Sequence, residues 1–326
     1  VALTWLRFFE QVKMYMKKIV ALVMPCLVSV AVADEVENVL VTGSYAPQAV
    51  LTSSVTVLDG QQIAALNKRT LAGILKTVPG LLVEEQGGPG GLTAVSIRGG
   101  EANFTLVLLD GVPVNDPTNS RGGSFDFANL NTSLVDRIEV VRGAQSAVYG
   151  SDAVAGVINI ITRRPQVGHE QSLSVEVGED EFANVGISAQ GTVDGFEYSL
   201  ELASRDDGDP VPGSERDSDS VNLRLGWQVS KKHWLKAGYR YLDGDRKSYP
   251  EQSGGPEFAV SDALDESDYD ERILSVGWTG QLSQAWQSRV QVNRFEHEED
   301  YSSPGIFPYD SVPPNAADTD FTRDQV

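Results

Sequence analysis

The stretch from Arg137 to Pro165, RIEVVRGAQSAVYGSDAVAGVINIITRRP, decides the fold of this 326-residue chain. A β-prone segment with Ile138 and Val140 runs into a glycine-bounded turn, and a short helical piece follows, ending at Gly150. A second strand is predicted over residues 157–162. The glycines of the stretch stand where a compact unit needs a positive φ or a close backbone approach. On pattern alone, the stretch predicts a well-packed β-turn-β unit.

The N-terminal region has the pattern of a secretory signal peptide over residues 16–33. A basic start at Met16-Lys17-Lys18 precedes an apolar run that is too short to cross a bilayer, and Ala31-Val32-Ala33 is a small-x-small cleavage site. Residues 1–15 come before this methionine and are expected to reflect an overlong start. Cys26, the only cysteine, would leave with the signal, so no disulfide, zinc cluster or thiol nucleophile is expected.

Charge and composition restrict the function further. The formal net charge of −20 argues against binding nucleic acid, whose phosphates require basic patches. Composition changes along the chain: residues 34–165 are rich in Gly, Val and Leu, whereas residues 166–326 alternate between apolar and polar side chains and contain long acidic segments. Two domains are therefore predicted.

The first domain reads as a mixture of short strands and helices. Thr70 is the expected N-cap of the second helix, and Pro79-Gly80 is its expected stop. Asp110-Gly111 is a tight-turn pair after an apolar strand. The predicted strands cover residues 53–58, 81–85, 94–97 and 104–109, and the predicted helices cover residues 61–66 and 70–78.

Several motifs of this domain, taken together, resemble the plug domain of TonB-dependent outer-membrane receptors. They are Pro79-Gly80, Ser96-Ile97-Arg98-Gly99, Leu108-Leu109-Asp110-Gly111-Val112-Pro113-Val114 and the Arg137–Pro165 stretch, in the family's order. The resemblance covers residues 36–165 and is nearest to cobalamin-receptor-like members. Ala144, where the family often has proline, departs from the pattern. The resemblance implies an α+β plug domain at residues 53–165.

The second domain, residues 166–326, has the period-2 pattern of β-strands. Rows such as Leu173, Val175 and Val177 fit a membrane barrel with its apolar face outward, and they also fit a soluble antiparallel sheet. Short and long connections alternate, which favours the barrel. Aromatic residues near the predicted strand ends fit an interfacial girdle: Trp227, Trp234, Tyr239, Tyr241, Trp278 and Trp286.

The strand count predicts the first seven or eight strands of a transmembrane antiparallel β-barrel. A plugged transporter has about 22 strands when complete. Because an open sheet edge is costly in hydrocarbon, the chain is expected to be a fragment of a longer receptor.

The linker at residues 34–52 holds a short β-prone segment, Val39, Leu40, Val41 and Thr42. From the pattern alone it could equally be the first strand of the next domain. In the resembled family this position holds the TonB box, which pairs edge-on with the periplasmic protein TonB. Strand addition needs free backbone groups and no special side chains, so such a segment is suitable.

The resemblance also implies sites on the plug. Arg98 and Arg142 would anchor the plug to carboxylates on the inner barrel wall, and the alternative is that both are surface arginines of little energetic weight. The ligand would bind the plug loops 86–92 and 115–125, through Gln86, Gly88, Leu92, Asn115, Asp116, Asn119, Arg121 and Ser124.

A cluster of carboxylates in predicted loops raises the question of calcium. The residues are Asp206, Asp209, Asp217, Asp219, Asp243 and Asp245, in segments 204–219 and 243–270. Ca²⁺ takes six to eight oxygen ligands, but no EF-hand spacing is present, and solvated loops are the alternative. Cobalamin receptors of the family use calcium in early extracellular loops, which keeps calcium as an option. No other cofactor is expected.

The predicted function is TonB-dependent transport of a scarce, bulky nutrient, cobalamin or a ferric siderophore, across the bacterial outer membrane. Expected partners are TonB, this ligand, and the lipid and lipopolysaccharide of that membrane. A passive porin or adhesin is the alternative. An enzyme is not expected, because the three histidines, His169, His233 and His297, are scattered and the chain lacks H-E-x-x-H and G-x-S-x-G.

Overall fold

The computed structural model describes residues 54–325, except residues 69, 120–121, 166–167, 260–262, 284–285 and 307–311. The first part, which we call the plug, runs from residue 54 to residue 165. Its elements are β1 (Ser54–Asp59), α1 (Gly60–Leu66), α2 (Leu71–Leu75), β2 (Leu81–Glu85), β3 (Thr93–Ile97), β4 (Thr105–Leu109), β5 (Val112–Pro113), β6 (Val135–Arg142), α3 (Ser146–Tyr149) and β7 (Gly156–Thr162).

Local capping explains where the plug helices begin. The Asp59 carboxylate accepts a hydrogen bond from the backbone N–H of Gln62, and the Gln62 side chain accepts one from the Asp59 N–H, which together form a capping box. The Thr70 hydroxyl accepts from the backbone N–H of Gly73, so the predicted N-cap is confirmed. This second helix ends at Leu75, three residues before its predicted end.

The Arg137–Pro165 stretch supplies two central strands of the plug. The five-stranded sheet has the order β1-β6-β7-β4-β5, in which β4 and β7 are parallel and the other pairs are antiparallel. β2 and β3 pair separately. Ile138, Ile158 and Ile160 are fully buried and share one core with Leu71 and Ile74 of α2. The predicted α+β plug is confirmed.

The second part is an eight-stranded sheet, which we call the barrel sheet. Each strand pairs with its sequence neighbour in antiparallel fashion. The strands are β8 (Gly168–Val177), β9 (Ala183–Val193), β10 (Phe196–Asp206), β11 (Glu215–Ser230), β12 (His233–Ser248), β13 (Asp265–Ser283), β14 (Trp286–Ser303) and β15 (Asn315–Gln325).

The two faces of the barrel sheet differ in the way that the alternation predicts. On β13, Leu274 and Val276 are about half exposed on the outer face, at 49% and 52%. Tyr269, Glu271 and Ile273 alternate with these positions and are buried against the plug. The outer apolar row is typical of a surface that faces lipid, with polar residues inside.

The strands extend much further than the sequence predicts. About half of the residues in the segments expected as loops, 204–219, 243–270 and 297–320, belong to strands, and the connections shrink to residues 207–214, 249–264 and 304–314. Aspartate has a low β-propensity, so the sequence pattern predicted loops at these positions. Pairing with neighbouring strands overrides that preference. Among the described residues, no helix combines the length and the apolar character needed to cross a membrane.

Candidate functional site

Arg216 of β11 is the centre of a polar contact between the barrel sheet and the plug. Its side chain is only 4% exposed. Nη2 donates to the Asp126 carboxylate at 3.0 Å and to the carbonyl oxygens of Gly90 and Gly91 at 3.1 and 3.0 Å. Nη1 donates to Asn129 Oδ1 at 2.9 Å. One guanidinium therefore binds two separate plug loops.

Asp126 is the matching acceptor on the plug. Its Oδ2 accepts from Arg216 of β11 and from Arg246 of β12, each at 3.0 Å. Its Oδ1 accepts from the backbone N–H of Thr93 and of Ala128. A buried carboxylate needs partners of this kind, because an unpaired charge is costly away from water.

Asn129 extends the contact to a third strand. Its backbone oxygen accepts from Arg240 of β12 at 2.5 Å, and its Nδ2 donates to Glu271 Oε1 of β13 at 2.9 Å. Sequence reasoning missed both Asp126 and Asn129. A signal was available: Asp126 stands between Phe125 and Phe127, so a polar side chain is forced into an apolar segment.

The two plug arginines predicted as anchors have a different environment. Arg98 is exposed in the turn after β3 with φ +53°. Arg142 donates to the hydroxyls of Ser54 and Thr56 on the neighbouring plug strand. Burial, followed by the nearby charge of Arg98, lowers the pKa of Arg142. Among the described residues, neither arginine pairs with a barrel carboxylate.

The contacts that the described residues show run from arginines of the barrel sheet to acceptors of the plug. Barrel arginines bind plug acceptors: besides Arg216 and Arg246, Arg224 donates to the Thr162 carbonyl at 2.9 Å and lies 3.7 Å from Asp110. Arg142 lies against β1, where its side chain is held by Ser54 and Thr56. Anchoring by Arg98 and Arg142 stays a prediction.

A cleft of about 590 Å³ lies between the plug loop 86–91 and the β12–β13 connection. Gln86 and Gly88 line it, whereas Leu92 is buried outside it. The two loops touch closely, since a Cβ on Gly87 would lie 1.8 Å from the Tyr249 carbonyl oxygen. The remaining lining residues are Glu84, Glu85, Gly87, Pro89, Glu251, Gly254, Gly255, Pro256 and Glu257.

The other predicted ligand loop, 115–125, uses its polar side chains to hold itself together. The buried Asn115 side chain accepts from the Val107 N–H and donates to the Thr105 and Gly123 carbonyls. Asn119 Nδ2 donates to the carbonyl of Ser124, itself buried. Asp116 accepts from Thr118.

Three groups of predicted site residues remain untested. Arg121 and the segment of Val39, Leu40, Val41 and Thr42 lie outside the described residues. Ligand contact by loops 86–92 and 115–125 stays a prediction, and the burial of Asn115 and Ser124 requires the second loop to move before either side chain touches a ligand.

The predicted calcium ligands lie mainly on strands. Asp217 of β11 stands between Asp206 and Asp245 in the strand register, and Asp219 stands opposite Asp243. These strand positions share the face of Trp227 and Tyr239, above the outer apolar row. Asp209 lies in the β10–β11 connection, where its N–H donates to the Asp180 carbonyl. Calcium binding by these six residues stays a prediction.

Among the described residues, one group of potential metal ligands has its donor atoms within 4.8 Å of one another: Asp116, His297 and Glu299. Asp116 belongs to the plug, and the other two residues belong to β14. The group therefore bridges the two parts of the molecule beside the Arg246–Glu299 ion pair.

Comparison with known proteins supplies the context for this arrangement. The TonB-dependent Receptor Plug Domain family model matches residues 47–157. The vitamin B12 transporter BtuB of Vibrio vulnificus (strain CMCP6) is 35% identical over 267 residues, which is 76% of this chain and 42% of that protein. The chain thus spans less than half the length of this relative.

Solved structures share the fold at lower identity. The siderophore receptor PiuA of Acinetobacter baumannii superposes with a TM-score of 0.68 at 20% identity, over 85% of this chain and 42% of that one. FpvA of P. aeruginosa, bound to a pyoverdine–iron complex, superposes with a TM-score of 0.69 at 17% identity. The superposition covers 86% of this chain and 41% of that one. At this identity the likeness shows the fold alone.

Proposed function

The chain belongs to the TonB-dependent receptor family, and we propose that the protein carries a scarce, bulky nutrient across the bacterial outer membrane by an energy-coupled mechanism. The observation that carries the proposal is the plug itself, held by Arg216 and Arg246 against the inner face of a sheet whose outer face is apolar. A plug held by polar contacts can block the barrel at rest. It can still rearrange when TonB pulls on its N-terminal segment.

The cleft between loop 86–91 and the β12–β13 connection is the proposed entry site for the ligand. It lies at the end of the sheet where the long connections are, opposite the short turns near residues 194 and 231. Long connections are typical of the extracellular side of outer-membrane barrels. A ligand bound there would touch plug and barrel together, so its binding could be transmitted to the plug.

We assign the substrate class as cobalamin or a ferric siderophore, with cobalamin favoured. Support for cobalamin comes from the 35% identical relative, a vitamin B12 transporter. The test is equilibrium binding of cyanocobalamin and of ferric siderophores to the purified protein, with and without Ca²⁺. Tight binding of a siderophore and no binding of cobalamin would reverse this preference.

Energy coupling is assigned to Val39, Leu40, Val41 and Thr42, which would add as a strand to TonB. The test is deletion of residues 37–43 in cells that depend on the nutrient. Uptake should vanish while ligand binding at the cell surface survives. Uptake that persists without the segment would disprove the coupled mechanism.

The second candidate function, a passive porin or adhesin, predicts an open lumen. The plug, seated through contacts such as Arg216–Asp126, counts against it. Conductance of the full-length receptor in planar bilayers separates the two, because a plugged receptor should pass little current.

A further inference from the structure

His297 of β14 lies between a carboxylate of the plug and a carboxylate of its own strand. Its Nε2 is 3.7 Å from Asp116 Oδ2 and 3.5 Å from Glu299 Oε2. The three side chains are between 7% and 9% exposed, so the group is enclosed between plug and sheet. Three potential ligand atoms thus face one small region at the interface.

The 3.5 Å contact of Nε2 with Glu299 Oε2 is at the outer limit of a hydrogen bond, and the 3.7 Å distance to Asp116 Oδ2 is beyond it. A charge-assisted N–H···O bond is about 2.7–2.9 Å long. Ligands around a tetrahedral Zn²⁺, with bonds of about 2.1 Å, are about 3.4 Å apart. Both measured distances from Nε2 are close to the second value, so an ion could enter with small side-chain movements.

A second observation concerns the other side of the imidazole ring. Among the residues that the structure describes, His297 Nδ1 has no hydrogen-bond partner, although it lies 3.7 Å from Glu271 Oε1. Within the described part of the chain, Glu271 Oε2 is also without a hydrogen-bond partner, and both side chains are more than nine-tenths buried. Buried polar atoms in native proteins normally have a hydrogen-bond partner, and both of these atoms lack one.

The arrangement of Glu271 behind His297 is the one that metal sites use. A metal-bound histidine commonly donates its other ring N–H to a carboxylate, which fixes the tautomer and orients the ring. A metal on Nε2 would place the ring proton on Nδ1, facing Glu271. Asn129 Nδ2 holds that carboxylate in place by donating to its Oε1 at 2.9 Å.

We propose that Asp116, His297 and Glu299 bind a divalent transition-metal ion of the Zn²⁺ class, with Glu271 as the positioning residue for His297. One imidazole nitrogen and two carboxylate oxygens suit Zn²⁺ better than Ca²⁺, which prefers oxygen ligands alone. The fourth position would be taken by water. The ion would tie plug loop 115–125 to β14.

The charges around the site are compatible with a bound cation. Asp116, Glu271 and Glu299 surround His297, and Arg246 neutralises Glu299 through its other oxygen, Oε1. Two carboxylates therefore remain to balance a divalent ion. The imidazole can occupy the same place as a protonated cation, so the experiment has to distinguish a metal from a proton.

The test measures Zn²⁺ binding to the purified, metal-stripped protein by equilibrium dialysis with elemental analysis. Wild type should bind one ion at this site, and Co²⁺ should give the visible absorption of a tetrahedral complex. His297→Gln should weaken affinity at least as much as loss of the positioning residue by Glu271→Gln, for which we expect a loss of about 10- to 100-fold. His233→Gln, at the start of β12, is the matched control and should bind like wild type.

The Asp116→Asn variant is a second test in case His297→Gln disturbs the fold of β14. It changes one plug side chain and leaves every β14 side chain unchanged. It should lose Zn²⁺ affinity and the Co²⁺ spectrum while circular dichroism stays that of wild type. Wild-type protein that binds no Zn²⁺, or binding that His297→Gln and Asp116→Asn leave intact, would overturn the proposal and leave a protonated imidazole between two carboxylates.

Discussion

The Asp126 carboxylate accepts hydrogen bonds from Arg216 of β11 and Arg246 of β12. Arg216 also binds two plug loops, so its substitution is the most direct test of the interface. The Arg216 side chain is 4% exposed, and that of Asp126 is 7% exposed. Removing one partner of a buried pair is costly because the remaining charge stays in a poor solvent. Since Arg246 also binds Asp126, the remaining carboxylate is not left alone.

Arg216→Met should therefore destabilise the protein by about 3 kcal/mol, at the low end for loss of a buried pair. The measurement is equilibrium unfolding in urea, followed by tryptophan fluorescence. Arg272→Met is the control: its ion pairs lie on the outer face with a side chain 39% exposed, and we expect no measurable change. Equal stability of the two variants would contradict the anchoring role of Arg216.

Substitution of Gly87 tests the close contact between the plug and the β12–β13 connection. Gly87 and Gly99 have similar positive φ angles, +70° and +76°, but only Gly87 faces a neighbour. Gly99→Ala should cost about 1 kcal/mol of backbone strain. Gly87→Ala adds a clash with the Tyr249 carbonyl oxygen, so it should cost more and should also weaken ligand binding at the cleft.

Unfolding free energies and ligand affinities of both alanine variants check this prediction. If the cleft is the entry site, the affinity falls for Gly87→Ala and stays unchanged for Gly99→Ala. Unchanged affinity in both variants would exclude a role for the close contact in binding.

At the scale of elements, the outer face of each long strand divides into an apolar segment and an acidic segment. On β13, Val276 lies in the apolar row near residue 274, whereas Asp268 lies eight positions earlier on the same face. A bilayer core matches about 9–11 residues of a tilted strand, so the acidic segment lies beyond the hydrocarbon.

Val276→Lys should therefore destabilise the folded protein in a lipid bilayer by about 2–4 kcal/mol, the cost of lysine near the bilayer midplane. Asp268→Lys, on the same strand and face, should have a much smaller effect. Folding yield into lipid vesicles, measured by the heat-dependent shift in gel mobility, reports both. Similar yields for the two variants would show that residue 276 does not face lipid.

Sequence patterns predicted these elements where the signal is local. The Arg137–Pro165 stretch carries its own β-propensity and glycines, and Thr70 carries its own capping chemistry, so β6, β7 and the start of α2 were predicted correctly. The acidic ends of β11–β14 were predicted as loops, because only pairing between neighbouring strands makes them extended.

The interface was harder to predict than the elements. Arg216 and Asp126 are 90 residues apart in sequence, and Asn129 and Glu271 are 142 residues apart. Which inward-facing arginine meets which plug acceptor depends on how the sheet curves around the plug. That curvature is a tertiary property without a local signal, so the sequence could not show that Arg216 binds Asp126.

At the scale of the whole molecule, the apolar core belongs mainly to the plug, and the contact between plug and barrel sheet is largely polar. Among the described residues of the main buried cluster, Ile273 and Phe295 are the two that come from the barrel sheet. Hydrogen-bonded ion pairs can be exchanged for water more easily than an apolar core. The plug should therefore leave its seat before the strands separate.

Urea should accordingly release the plug at a lower concentration than it unfolds the barrel. In planar bilayers, the full-length receptor should pass little current in buffer and should open reversibly when urea is added. Arg216→Met should open at a urea concentration about 1–3 M lower, which follows from a loss of about 3 kcal/mol and a urea dependence of about 1–3 kcal/mol per M. Arg272→Met should open where wild type does. Current that flows in buffer alone, or an opening concentration that Arg216→Met does not shift, would mean that these polar contacts do not keep the lumen closed.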